Sequence, residues 1–527
     1  MRRWTSLAAG LAVLLAALAV RLPAVTAGLP YMTYVDEGHV IHHASYLLER
    51  GTWEPDTYSY PTFPFYLVAG AALAYSPVYA AVHGRSLRQD LSPSPFRYYD
   101  VVEPTELLVL ARLVTLAFSL GIVAVTGLLV RRLAGPRAGL MSAWLAALAP
   151  ALVMRSSVVN INPIMACFAV AALYFAEGAR SGSHPRRDAL LAGAMAGFAG
   201  ATKYPAALVC LPVALAVLLA PSPWIEKLRR LVLAGSAAVA VVLLAMPALF
   251  LRTRAVLDGL RAMSLIYGRE EQGSYWEQAV RRAEWSLPVN HPELGLIFLL
   301  LAAAGLAVGL RDRRASPAAL GWLLFGAATG LLVSQYKFRA FRNLLALVPL
   351  ACALIGLLYA WLRERVSRPA LLDGAFALLP VLLFFPALRE YTGYQLALED
   401  SREQAVRLLA KHVRPADRVL VSEELAVLPC RLRALPARVE ARPWTDSRPR
   451  IAQAEPDYIL LGDLVQRDGR SKINPALRRK ILARYEVLAQ HGDYGTAPGS
   501  GWFRGNHQRV FVLKRRGAAR RSAVPSP

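Results

Sequence analysis

The chain carries a series of apolar segments, each long enough to cross a bilayer, and this feature limits it to one class of fold. A helix needs about 20 apolar residues to cross the hydrocarbon core. The sequence therefore predicts a polytopic α-helical membrane protein with about eleven spans. The spanning segments lie near 7–29, 106–130, 139–157, 161–179, 189–203, 205–220, 231–251, 293–310, 317–335, 341–361 and 371–388.

The net charge of +24 at pH 7 would also suit a nucleic-acid-binding protein. The basic residues, however, cluster in the short turns between apolar segments, as the positive-inside rule expects of cytoplasmic loops. We therefore predict a multi-pass protein of the bacterial inner (cytoplasmic) membrane that binds no nucleic acid. Its amino terminus and basic turns would lie inside and its tail outside. These turns carry Arg131, Arg180, Arg229, Arg313 and Arg363.

A further apolar segment, 63–82, decides whether all basic turns fall on one side. If it spans, the turn at Arg131 lies opposite Arg2 and Arg3; if it stays at the outer face, every basic turn lies inside. The segment also contains Pro64 and Pro77, which favour a broken helix. We therefore predict juxtamembrane helices at the outer face here, and no twelfth span.

The tail resembles a small soluble α/β domain. Residues 401–413 have helical spacing, with Ser401 as the expected N-cap. "DRVLVSEE", "DYILLGD" and "QRVFVLKR" predict strands. The predicted organisation is a membrane domain over 1–390, an extracytoplasmic α/β domain over 391–515 and a disordered tail over 516–527.

The stretch "YVDEGHVIHH" (34–43) follows the first apolar segment and concentrates the candidate chemistry. Asp36 and Glu37 form a carboxylate pair next to the membrane. Partial burial of a carboxylate raises its pKa towards working pH and makes it a better general base. The alternative is a solvated pair in which Asp36 caps the following helix.

Three histidines follow the acid pair. In a helix that begins near Asp36, the side chains of Asp36, His39 and His43 share one face and could converge on a divalent metal ion. The alternative is a set of interfacial histidines bonded to lipid headgroups or to the backbone. The spacing alone leaves both interpretations open.

Basic residues also appear on the side where the topology trend does not expect them. Lys203 interrupts an apolar pair at "ATKYPAAL", and the cluster "QYKFRAFRN" contains Lys337, Arg339 and Arg342. Phosphate binding would explain such cations, while snorkelling to the interface is the alternative for Lys203.

The order of these features resembles one known family. It comprises an acidic pair after the first span, a Pro/aromatic segment ("YPTFPFYLVAG"), a "TKYP" break and a span that begins "RNLLALVP". Over most of 1–390 the chain resembles bacterial family 39 glycosyltransferases of the GT-C superfamily, relatives of protein O-mannosyltransferases and lipid A aminoarabinose transferases. "AVRLLAKHVRPADRVLVSEE" is similar to the start of the tail domain that many members carry.

The resemblance implies an inverting transfer of a sugar from a polyprenyl-phosphate donor to a lipid, glycan or protein acceptor at the outer membrane face. It assigns the role of base to Asp36, with Glu37 as its companion. It also implies that Lys203 and Arg342 neutralise the departing lipid phosphate. The predicted substrate-binding residues are His39, His43, Tyr60, Lys203, Tyr204, Lys337, Arg339 and Arg342.

Two positions depart from the family pattern. Many members have an Asp where "SSVVNINPIM" places Asn162, and amide oxygens are poorer metal ligands than carboxylates, so metal dependence stays open. The usual "KPPL"-like segment is here "YPTFPF", without lysine. Either change is consistent with an altered acceptor or with a catalytically inactive relative.

A transporter or flippase of a lipid-linked solute is the alternative from another functional class. Such a protein would carry charges near the bilayer midplane and show repeated halves. Here the ionisable residues lie near span ends, and the sequence shows no repeat.

Overall fold

The computed structural model describes residues 2–32, 34–93, 102–267, 295–336, 341–397, 400–422, 425, 427, 429–442, 455–463, 481–491 and 509–516. These residues form two compact units. Unit 1 comprises Met1–Thr26, His43–Ser86 and Val109–Leu396, and unit 2 comprises Ala27–His42, Leu87–Leu108 and Ala397–Pro527.

Helices dominate the described chain. In chain order they are α1 (Arg2–Arg21), α2 (Val35–Arg50), α3 (Phe63–His83), α4 (Leu87–Asp90), α5 (Thr105–Ala134), α6 (Pro136–Leu148), α7 (Pro150–Ser156), α8 (Ile161–Ser181), α9 (Pro185–Thr202), α10 (Cys210–Leu218), α11 (Trp224–Ala245), α12 (Ala248–Leu251), α13 (Thr253–Tyr267), α14 (Leu296–Arg311), α15 (Ser316–Ser334), α16 (Leu347–Arg363), α17 (Pro369–Ala397), α18 (Ser401–His412) and α19 (Pro429–Arg433). Short 3-10 turns occupy Leu22–Thr26, Tyr204–Val209 and Phe341–Leu344.

Seven helical segments of the described chain are long and apolar enough to cross a membrane, and the pair α6–α7, bent by 57°, would make an eighth. Three shorter apolar helices cover Tyr204–Leu218, Leu296–Arg311 and Leu347–Arg363. The prediction of a polytopic helical fold is confirmed, but the count of eleven is not. The predicted span 189–203 belongs to α9, whose first turn carries Arg186, Arg187 and Asp188. The seven segments are Leu7–Thr26, Phe63–His83, Thr105–Ala134, Ile161–Ser181, Trp224–Ala245, Ser316–Ser334 and Pro369–Gly393.

The predicted break in segment 63–82 is absent, because α3 is continuous over 21 residues. Pro64 lies in the first turn, where its missing N–H removes no helical hydrogen bond, and Pro77 is accommodated inside the helix. By length and composition α3 is one of the helices that could span. Its predicted position at the outer face stays a prediction.

Two breaks in unit 1 place polar residues between apolar helices. Helix α9 ends at Thr202, and Lys203 adopts an extended conformation before the 3-10 turn Tyr204–Val209. The break follows from Pro205, which cannot donate the hydrogen bond that would continue the helix. Helix α8 begins after Asn160, whose side chain accepts a hydrogen bond from the Asn162 N–H at 2.8 Å.

Within unit 2, the tail forms a five-stranded sheet from β3 (Arg418–Ser422), β4 (Arg438–Arg442), β5 (Tyr458–Asp463), β6 (Tyr485–His491) and β7 (Arg509–Arg515). The strand order is β4-β3-β5-β7-β6. Strands β3, β4 and β5 are parallel, while β7 runs antiparallel to β5 and β6. The core joins α18 residues such as Leu409 to apolar strand residues such as Val421, Leu460 and Val512. A separate two-stranded ribbon pairs β1 (Ser92–Pro93) with β2 (Val102–Glu103).

The tail confirms the predicted small sheet and its three predicted strands, while β4 and β6 were not predicted. The predicted N-cap, Ser401, is wrong by one residue. Asp400 caps α18 instead, because its carboxylate accepts from the Arg402 N–H at 2.8 Å. Helix α17 continues through the predicted boundary at 390/391, and the division into three segments stays a prediction. Residues 517–527 lie outside the described chain.

Candidate active site

The acid pair lies at the start of α2, in unit 2. Glu37 is fully buried, and its Oε2 accepts a hydrogen bond from the Tyr34 N–H at 3.1 Å, while the Glu37 N–H donates to the Tyr34 carbonyl at 3.0 Å. A glutamate at the third helical position that accepts from the N-cap N–H is one half of a capping box. Glu37 therefore caps α2, the role that the alternative interpretation gave to Asp36. The neighbouring Asp36 is partly exposed.

The histidines of α2 are divided between the units. His39 belongs to unit 2 and is partly exposed, whereas His43 belongs to unit 1 and is 7% exposed. Because the predicted metal ligands Asp36, His39 and His43 belong to both units, their convergence stays a prediction.

His43 has a partner that the sequence did not predict. Its Nδ1 lies 2.5 Å from Asp56 Oδ1, and its ring packs against Phe65 at 4.7 Å between centroids. A carboxylate on Nδ1 fixes the tautomer and directs Nε2 towards acid–base, hydrogen-bonding or ligand chemistry. No local pattern could have predicted this pair, since Asp56 lies in the loop after α2.

The second cluster lies in unit 1 around Lys203. The Lys203 ammonium donates to Asn162 Oδ1 and to Asn343 Oδ1, each at 2.7 Å. These three residues come from the break after α9, the first turn of α8 and the 3-10 turn before α16. The sequence predicted a role for Lys203 and noted Asn162, but it gave no role to Asn343.

The amide of Asn162 is held in one orientation. Its backbone N–H and its Nδ2 both donate to Asn160 Oδ1, at 2.8 and 2.6 Å. Its Oδ1 is thereby turned to Lys203. Asn160 and Asn162 are 0% and 1% exposed, so burial strengthens these hydrogen bonds. The amide oxygens of Asn162 and Asn343 therefore orient the ammonium.

The remaining predicted binding residues have mixed surroundings. Arg342 is partly exposed and shares a 3-10 turn with Asn343. The buried Tyr204 hydroxyl has no hydrogen-bond partner among the described residues, and the ring packs in an apolar cluster with Phe63 and Phe198. Tyr60 is partly exposed. Lys337 and Arg339 lie outside the described residues.

Aromatic packing brings the "YPTFPF" segment to the "TKYP" break. The ring centroid of Phe63 lies 5.1 Å from that of Phe198 on α9 and 6.0 Å from that of Phe168 on α8. The Phe168 and Phe198 rings stack at 5.0 Å. Two segments that the sequence treated separately thus form one part of unit 1.

Comparison with known proteins supports the architecture. Residues 105–250 match the family described as dolichyl-phosphate-mannose-protein mannosyltransferase. No curated protein sequence matches the chain. ArnT from Cupriavidus metallidurans in its apo state aligns with a TM-score of 0.58 at 15% identity, over 96% of this chain and 98% of ArnT.

The chain has a GT-C fold. The same ArnT bound to undecaprenyl phosphate aligns with a TM-score of 0.54 at 15% identity, over 97% of this chain and 98% of that one. The oligosaccharyltransferase of Archaeoglobus fulgidus in its apo form aligns with a TM-score of 0.50 at 13% identity, over 87% and 69% of the two chains. The predicted resemblance to GT-C proteins related to O-mannosyltransferases and ArnT is confirmed.

Proposed function

We propose that this GT-C protein is a membrane glycosyltransferase that moves a sugar from a polyprenyl-phosphate donor to an acceptor at the extracytoplasmic face. The observation that carries the proposal is the Lys203 ammonium, oriented by Asn162 and Asn343 at 2.7 Å. An oriented cation between apolar helices suits the phosphate of a lipid carrier. The ArnT structure bound to undecaprenyl phosphate supports a donor of this class.

In the proposed reaction, the acceptor oxygen forms a bond to the anomeric carbon while the bond from that carbon to the phosphate oxygen breaks. The leaving polyprenyl phosphate takes the electron pair. Lys203 and Arg342 stabilise the negative charge that develops on it, so electrostatic stabilisation replaces a general acid. A single displacement inverts the anomeric centre.

Asp36 takes the proton of the acceptor hydroxyl or amine. Asp36 is partly exposed at the start of α2. Glu37 contributes as the cap of α2, which makes it a positioning residue. His39, His43, Tyr60 and Tyr204 are proposed to contact substrate.

A divalent metal does not fit beside Lys203. The Asn162 Oδ1 that would bind the metal already accepts from the ammonium, and a second cation on the same oxygen would be repelled. No step of the proposed reaction therefore passes through a metal ion.

The test combines the purified protein in lipid nanodiscs with a panel of polyprenyl-phosphate sugars and a membrane extract as acceptor source. We expect one donor to be consumed with transfer of its sugar, and Asp36→Asn to abolish transfer at unchanged expression. Movement of an intact lipid-linked sugar across proteoliposomes that lack acceptor would instead identify a transporter. Absence of both activities would indicate an inactive relative.

A further inference from the structure

Tyr31 links the segment that carries the acid pair to the tail, entirely within unit 2. It lies shortly before α2, its side chain is fully buried, and the Arg402 guanidinium carbon lies 3.8 Å from its ring centroid. A guanidinium this close to an aromatic face makes a cation–π contact, which is strongest where water is excluded. Arg402 belongs to α18, the first helix of the tail.

Arg402 is fixed on its other side. Its Nε and Nη2 donate to Asp400 Oδ1 and Oδ2, each at 2.8 Å, and Nη1 donates to the Leu425 carbonyl at 3.3 Å. Arg402 and Asp400 are each 3% exposed. Burial disfavours the charged guanidinium, but the Asp400 carboxylate more than offsets this, so the pKa of Arg402 lies above its usual value. A bidentate pair of this kind sets the guanidinium plane rigidly.

Hydrogen bonds fix the chain at Tyr31 and again at the start of α2, and Asp36 lies five residues after Tyr31. The Tyr31 N–H donates to the Gly28 carbonyl at 3.0 Å, which closes a turn, and Gly28 has a positive φ of 68° that favours glycine. The Tyr34–Glu37 hydrogen bonds then begin α2. A shift of the Tyr31 ring would therefore be transmitted to the first turn of α2, where Asp36 lies.

We propose that Arg402 is a positioning residue for the reaction, and that through the Tyr31 ring the tail holds the first turn of α2 in its active orientation. The inference rests on the proposed function for its consequence in catalysis. The contact between Arg402 and Tyr31 and its effect on α2 do not depend on the proposed function, because they predict an ordered start of α2 with or without substrate. The tail is then part of the catalytic machinery and not an appended module.

The test compares Tyr31→Leu, which removes the ring, with Tyr31→Phe, which keeps it. We expect Tyr31→Leu to lower kcat by about tenfold, the effect of losing one desolvated cation–π contact, with the donor KM within about twofold of wild type. Tyr31→Phe should retain kcat. Hydrogen exchange of the amides of 35–38 should accelerate in Tyr31→Leu and stay at the wild-type rate in Tyr31→Phe. Arg402→Met should lower kcat and accelerate exchange at 35–38 as Tyr31→Leu does, because both variants remove the cation–π contact. The double variant should show no larger change in either quantity than the single variants.

Tyr485→Leu is the matched control, because it removes another buried ring of unit 2, 3% exposed on β6. It should lower the melting temperature without accelerating exchange at 35–38. Unchanged exchange there in Tyr31→Leu, or equal acceleration in Tyr485→Leu, would overturn the inference. If the wild-type protein transfers no sugar, the proposed function fails while the exchange measurement still decides the link. If Arg402→Met does not fold, the comparison of Tyr31→Leu with Tyr31→Phe decides whether the contact orders α2.

Discussion

At the scale of single residues, the Lys203 cluster shows two neutral amide side chains orienting an ammonium. A carboxylate at position 162 would pair with the ammonium, whereas the amides of Asn162 and Asn343 accept its protons and carry no charge. The departure from the family pattern at Asn162 therefore fits a site that uses lysine to attract a phosphate. Two substitutions separate this explanation from simple packing.

Lys203→Met should lower kcat/KM for the donor by at least about a hundredfold, because a charge-assisted bond to a phosphate contributes about 3 kcal/mol. The measurement is the initial rate against donor concentration. Lys227→Met is the control, since Lys227 is a partly exposed lysine that donates to the Leu218 carbonyl. It should leave the rate unchanged, and a similar loss in both variants would remove the special role of Lys203.

Asn162→Asp should raise the donor KM by about tenfold, because the new carboxylate forms an ion pair with Lys203 and competes with the phosphate. Asp keeps the size of Asn but replaces the Nδ2 that donates to Asn160 Oδ1 with an oxygen, so a melting curve accompanies the kinetics and confirms that the variant is folded. Isothermal titration with undecaprenyl phosphate measures the binding step by itself. Tighter binding in Asn162→Asp would contradict the proposed role of the neutral amide.

At the scale of elements, two substitutions of Glu37 distinguish a capping role at the start of α2 from a chemical role. Glu37→Gln keeps an oxygen that can accept from the Tyr34 N–H, whereas Glu37→Ala removes it. We expect Glu37→Ala to cost about 1 kcal/mol of local stability and to reduce kcat, while Glu37→Gln retains most activity. Kinetics and exchange at α2 measure both effects. An inactive Glu37→Gln variant with an ordered α2 would assign the carboxylate itself to the chemistry.

The packing of α9 on α11 offers a second prediction at this scale. A Cβ at Gly193 would collide with the backbone of Ala234, whereas a Cβ at Gly235 on α11 meets nothing within 4 Å. Gly193→Ala should therefore lower the melting temperature and weaken donor binding, because α9 carries Lys203 at its end. Gly235→Ala should raise the stability by up to about 1 kcal/mol. Equal melting temperatures for the two variants would contradict this packing.

The elements also show how far the sequence could be interpreted alone. Hydrophobic patterns predicted the long apolar helices, and in the tail they predicted α18 and three strands. Pro205 predicted the break next to Lys203. Periodicity could not predict that Asp56 meets His43, or that Asn343 meets Lys203, because these contacts join residues distant in sequence. Prolines misled the interpretation of α3, since one lies in the first turn and the helix accommodates the other. Strand β4 is only five residues long and three of them are charged, while β6 lacks the alternation of polar and apolar residues.

At the scale of the whole molecule, the proposed reaction depends on sidedness, because the donor phosphate, the acceptor and the tail must be accessible from outside the cytoplasm. Single cysteines test this in a background in which the native cysteines are replaced by serine. We expect Glu54→Cys and Glu455→Cys to react with a membrane-impermeant maleimide in intact spheroplasts. Both glutamate side chains are more than half exposed.

Arg313→Cys is the matched internal probe, because Arg313 is exposed in the basic turn between α14 and α15. It should react only after the membrane is permeabilised, since the positive-inside rule places this turn in the cytoplasm. The same experiment tests whether α3 spans the membrane. If it does, the residues before and after it lie on opposite sides, and Glu54→Cys and a cysteine at exposed Arg85 will differ in labelling. Equal labelling of those two cysteines would place α3 at the outer face, as the charge distribution predicts. Labelling of Arg313→Cys in intact spheroplasts would contradict the proposed orientation of the whole protein.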